Sequence, residues 1–208
     1  MRNALLASAA ITLGLASTAQ AADIFVGHLA DLTGATASVS KPVAAGVADA
    51  LNYINAHGGV GGSKINFETV DYSYQVPRAM AQYKKWTSEQ KLAAIQGWGT
   101  GDTEALVSSV AKDEIPYFSA SYSGHLTDPQ GKTSAKAAPY NFFYGPSYTD
   151  GCRGLVEWAA ADWKKKGGKD KPKFVHMGDN HPYPNAPKDA CGAYAKEKGF
   201  DILNPIQY

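Results

Sequence analysis

Two loops carry the residues best suited to chemistry in this sequence: Gly97-Trp98-Gly99-Thr100-Gly101-Asp102-Thr103 and Ser119-Ala120-Ser121-Tyr122-Ser123. Each follows a predicted strand, and the first leads into a predicted helix. Glycines let backbone N–H groups approach a ligand closely, and a helix N-terminus favours a negative group. Such loops suit the grip of a small carboxylate, as in an amino acid or organic acid. Thr100 and Asp102 have a second reading, as caps of the helix. Other chemistries lack their parts. Ser121-Tyr122-Ser123-Gly124-His125 is missing the first glycine of a serine-hydrolase elbow. The five histidines include no pair at i, i+4, so a helical zinc site is unsupported. Gly97-x-Gly99-x-Gly101 follows the third predicted strand and lacks the spacing of a dinucleotide loop. His28 and His57 read as structural. The expectation is a binding protein with no catalytic residue, no metal and no cofactor.

The elements that position these loops alternate regularly. Strands are predicted at 24–29, 65–70, 92–96, 117–119, 140–144, 174–177 and 201–204, and helices at 42–56, 77–89, 103–113, 150–165 and 187–198. In the first helix Val43, Val47, Ala50, Leu51 and Ile54 share one face, and Gly58 and Gly59 stop it. Strands followed by helices at short spacing imply an α/β fold with parallel sheets. In such sheets ligands bind beyond the C-terminal strand ends, where both loops lie. The polar stretch 123–139 has no apolar period and reads as a surface loop.

Met1 to Ala21 combine Arg2, an apolar run and Ala19-Gln20-Ala21, the pattern of a cleaved secretory signal. The run is shorter than the ~20 residues that span a bilayer. The chain has 20 basic and 19 acidic residues, and without Arg2 the balance is neutral, which argues against nucleic acid as a partner. Lys164 to Lys166, with Lys169, Lys171 and Lys173, read as a solvated helix end. Cys152 and Cys191 are the only cysteines; in an oxidising compartment they are expected to pair, since their helices flank one strand.

The phrase Tyr53-Ile-Asn-Ala-His-Gly-Gly-Val-Gly-Gly62 stands among landmarks in a fixed order: Leu32, Thr33 and Gly34, then Gly46, Asp71 and Gly97. Together these resemble the leucine/isoleucine/valine-type periplasmic substrate-binding proteins of ABC importers. The resemblance implies the type I periplasmic-binding-protein fold, two Rossmann-like lobes closing by a hinge near Gly145 and Pro146. Lobe one would span 22–145, nearly whole, and 146–208 would begin lobe two. Family members are longer, so the sequence reads as a fragment with lobe two incomplete. It implies a periplasmic monomer that delivers a branched-chain amino acid or related carboxylate to an inner-membrane ABC permease. A sensor domain of the same fold is the alternative. By the resemblance Gly101 stands where the family often has Ser, leaving only a backbone N–H there, and Ser121 and Ser123 occupy the gripping Ala and Thr positions. Tyr183 matches a Tyr that covers the ligand from lobe two. With Trp98 and Tyr122 it would wall the cleft with rings, which favours an apolar or aromatic ligand; Trp98 reads equally well as core packing.

Overall fold

The structure, a computed structural model, describes residues 23–132 and 137–208. The expected signal segment at 1–21 lies outside the described residues. Strands β1 (Ile24–Ala30), β2 (Ile65–Asp71), β3 (Leu92–Gln96), β4 (Tyr117–Phe118) and β5 (Asn141–Phe142) form an all-parallel sheet in the order β2-β1-β3-β4-β5. Parallel neighbours need long crossovers. Helices α1 (Ala37–Ala56), α2 (Val76–Glu89) and α3 (Thr100–Lys112) supply the first three. The chain leaves β1 for β2, then passes back across to β3, so the order reverses between β1 and β3. That reversal opens a crevice at the strand ends.

The core lies under α2 and α3, built from Leu29, Tyr72, Tyr83, Trp86, Ile95, Leu106, Val110 and Tyr117. Trp86 is locked by its Nε1–H, which donates to Glu68 at 2.6 Å, and its ring lies against Gly27, where a Cβ would collide with it. The face of α1 predicted from its spacing is largely open: Val43, Ala50 and Ile54 are exposed, and Ser40 and Ala44 are its buried residues. The helix also begins five residues before Pro42, its predicted start. Tertiary hydrogen bonds hold that extra turn, since Asp31 accepts from Thr36 and its own N–H donates to Ser40 Oγ. Gly58 (φ +102°) and Gly59 (φ +74°) end it in the left-handed conformation, as expected.

Beyond β5, α4 (Tyr148–Lys165) packs on α6 (Lys188–Glu197) around Val156, Cys191, Ala195 and Phe200. Ser147 and Asp150 exchange backbone and side-chain hydrogen bonds at the start of α4, so the helix begins at Tyr148 rather than Asp150. Cys152 and Cys191 form the expected disulfide, with Cα atoms 5.9 Å apart. The single strand predicted at 174–177 is split in two, and the one predicted at 201–204 is shortened, with a further strand beyond it. β6 (Lys173–Phe174) pairs with β8 (Asp201–Ile202), and β7 (Met177–Gly178) with β9 (Ile206–Gln207). Pro205 has no N–H for a ladder, which breaks the pairing there. A short helix, α5 (Pro182–Asn185), fills the stretch after β7. The predicted loop at 123–139 is anchored rather than wholly on the surface. A 3-10 turn at Gly124–Thr127 sinks Leu126 against Val107 and Ala138.

Candidate ligand-binding site

Two aspartates shape the loops at one side of the crevice. Asp71, closing β2, accepts from Leu32 N–H (2.8 Å), Thr33 Oγ1 (2.6 Å) and Ser73 N–H (2.9 Å). Burial works to raise its carboxyl, but these bonds together hold it below its ordinary value. The clamp draws the turn after β2 against the loop after β1, and Gly34 is required there because a Cβ would strike the Ser73 carbonyl. Ser73 (φ +52°) and Tyr74 (φ +57°) are held left-handed, a costly conformation for residues with side chains. Asp31, fully buried, accepts from Gly34 N–H and from both Thr36 N–H and Thr36 Oγ1, each of the latter at 2.7 Å. Thr36 Oγ1 in turn accepts from Trp98 Nε1–H at 2.8 Å. This chain of bonds, from β1 to the loop after β3, fixes the indole.

Asp102 governs the next loop. Its carboxylate accepts from Tyr72 (2.7 Å) and Tyr117 (3.1 Å) hydroxyls and from Gly99 N–H (3.3 Å), at the N-terminus of α3. Burial pushes its carboxyl up to about 6, against those hydrogen bonds, which favour the anion. Gly97 faces the Tyr117 ring with no space for a Cβ, while Gly46, another landmark, faces open space and its presence is not explained by packing.

The resulting cleft, about 330 Å³, is lined by Thr36, Val39, Tyr74, Trp98, Gly99, Thr100, Ala120, Tyr122, Tyr148 and Tyr183. Its rings form a continuous series. Tyr122 meets Tyr148 edge-on (5.8 Å between centroids, 82°), and Tyr148 meets Tyr183 likewise (5.3 Å, 84°). Tyr148 N–H also donates to the Tyr122 carbonyl at 2.8 Å, tying α4 to the loop after β4. Burial, and then the neighbouring Tyr144, push the Tyr122 hydroxyl up to about 12, so it stays protonated and able to donate. On the other side His181 stacks on Tyr74 (4.7 Å, 22°), with its Nδ1 accepting from Tyr183 N–H at 3.1 Å.

Of the residues expected to grip a ligand, Trp98, Tyr122 and Tyr183 line this cleft. Trp98 also packs on the core, so one ring both lines the cleft and serves as packing. Gly101, Ser121 and Ser123 are not among the lining residues. Ser121 Oγ donates to Thr100 Oγ1 (2.8 Å) and its N–H to Ser119 Oγ (2.7 Å); Ser123 Oγ donates to Glu104 (2.6 Å). Both serines are buried, so their hydroxyls stabilise the loop after β4 rather than face the cleft. Gly101 lies beneath Val76 and His181. Asp102 plays the capping role, reaching back from the first turn of α3 to Gly99 N–H. Sequence reasoning missed Thr36, Val39, Tyr74 and Tyr148. The Asp71 landmark was the one available signal for Tyr74, since an aspartate after a strand marks a turn.

A parallel sheet whose switch-point cleft is closed over by rings from a second α/β unit defines a two-lobed α/β fold with a ligand-sized crevice. The chain belongs to the periplasmic binding protein family, whose model matches residues 23–208. It is similar to an ABC transporter substrate binding protein of Aeropyrum pernix, with 30% identity and a TM-score of 0.74, over 90% of this chain and 46% of that one. It shares its fold with a branched chain amino acid ABC transporter from Thermus thermophilus with bound valine (22% identity, TM-score 0.77, 91% and 46%). The same holds for a fatty acid ABC transporter substrate-binding protein from Thermomonospora curvata (20%, 0.75, 89% and 44%). The chain therefore spans less than half the length of these relatives. No curated protein matches it.

Proposed function

We propose that this protein is the solute-binding component of an ABC importer, working outside the cytoplasm as a monomer. It takes an amino acid of the branched-chain type, or a related small carboxylate, between lobe one (22–145) and lobe two (from 146), and presents it to an inner-membrane permease. The observation that carries this reading is the cleft wall, in which Trp98 and Tyr122 of the first lobe and Tyr148 and Tyr183 of the second face one space. A ligand there touches both lobes at once, so its binding energy favours the closed arrangement, by a hinge near Gly145 and Pro146. The work is done by binding and closure, with no chemical step. Family membership and the substrate-binding neighbours support transport.

Titration calorimetry of the protein with L-leucine, L-valine and their des-amino acids tests it. Saturable binding of one of these solutes is expected. Tyr183→Ala is expected to weaken it by about tenfold, the cost of losing one well-packed aromatic contact, with an unchanged melting temperature. Equal affinity in wild type and variant rejects the site.

A further inference from the structure

We infer that the cleft selects a small ligand with an aromatic ring and without an α-ammonium group. This narrows the solute class and rests on the solute-binding reading. Five of the lining residues are aromatic, Tyr74, Trp98, Tyr122, Tyr148 and Tyr183, and none of the lining residues is charged. The rings are held by the protein before any ligand arrives. Trp98 is bonded to Thr36, Tyr74 is stacked on His181, and Tyr148 is packed edge-on between Tyr122 and Tyr183. Fixed rings lose little freedom when a ligand binds, so ring-to-ring contacts are retained as affinity.

An α-ammonium group would enter this space with no carboxylate among the lining residues to pair with directly. The carboxylates behind the lining are each engaged: Asp31 by Gly34 and Thr36, Asp102 by Tyr72, Tyr117 and Gly99, Glu104 by Ser123. The serine hydroxyls after β4, which would otherwise receive its protons, are turned to Thr100 and Glu104. Cation–π attraction offsets part of the lost hydration, but three N–H donors facing rings are satisfied less well than in water.

A matched set of four solutes separates the two features: 3-phenylpropanoate, L-phenylalanine, 4-methylpentanoate and L-leucine. Dissociation constants are measured by titration calorimetry on the protein, with intrinsic tryptophan fluorescence as a second readout. The expected order puts 3-phenylpropanoate tightest, at least about tenfold over L-phenylalanine. It is also expected to bind about two- to tenfold tighter than 4-methylpentanoate, the range for one aromatic contact. Tyr183→Leu, at an exposed ring of the cleft wall, is expected to reduce the ring preference, with circular dichroism checking that the fold is kept. Tighter binding of either amino acid than of its des-amino partner overturns the inference and leaves solute binding standing, as does equal affinity for the ring and the branched chain. Failure of all four to bind overturns both.

Discussion

Asp102→Asn isolates the cost of keeping a carboxylate beneath the cleft. Asp102 is 1% exposed, and burial raises its carboxyl from an ordinary 3.8 to about 6. At 1.36 kcal/mol per tenfold, that displacement amounts to about 3 kcal/mol. Below pH 3.8 the group is protonated in both folded and unfolded chains, and the cost is absent. Between 3.8 and about 6 the unfolded chain releases its proton while the folded chain keeps it, so stability falls as pH rises. Above about 6 the full cost is present and constant. Asn cannot titrate, and whatever its amide gains or loses against Tyr72, Tyr117 and Gly99 is the same at every pH. Urea unfolding of wild type and variant from pH 3.5 to 7.5 therefore gives a difference curve free of other titrations. Wild type is expected to lose about 3 kcal/mol relative to the variant across that range, a relative midpoint shift of about 1 to 2 M urea. A difference that stays constant with pH refutes the argument, because it means the hydrogen bonds to the anion cancel its burial.

Two further substitutions test the supports of the cleft. Cys152→Ser opens a loop closed across a separation of 39 residues, which on chain-entropy grounds costs about 4 kcal/mol; thermal melts of the variant are expected to show a lower midpoint, and an unchanged one assigns the disulfide no stabilising role. Gly97→Ala forces a Cβ into the fully buried Tyr117 ring and is expected to cost about 1 to 3 kcal/mol in urea unfolding. A cost near zero there means that Tyr117 can move, and that its hydrogen bond to Asp102 is not fixed.

The αβ alternation was legible because each element reports on itself. The strands at Ile24, Ile65 and Leu92 begin where predicted, as apolar runs between turn residues. The landmarks were legible as an ordered set, and the structure gives Gly34, Asp71 and Gly97 steric or hydrogen-bonding causes that lie in other loops and strands. Helix starts were less so. Pro42 is a proper local start signal, overridden by Asp31 eleven residues upstream. In the second unit Pro205 is a local signal for the break between β8 and β9, whereas which strand each half pairs with, β6 or β7, is not a local property.

Side-chain direction was the least legible feature. Ser121 and Ser123 are polar residues in a loop beyond a strand end, and the sequence supports a ligand role for both. Each hydroxyl instead found a nearer partner, Thr100 or Glu104, because α3 packs against that loop. Tyr74 was signalled only indirectly, by the turn that Asp71 marks, since its left-handed backbone and its stacking on His181 arise where that turn meets the loop after β1 and the second unit. The sequence by itself determined the alternation of strands and helices, the parallel character of the sheets and the expectation that its two cysteines pair, because periodicity, turn chemistry and composition can be read along the chain. Only the tertiary structure decided which polar groups face the cleft and which face each other, because hydrogen-bond partners are chosen by distance in space, across separations such as the 62 residues between Thr36 and Trp98.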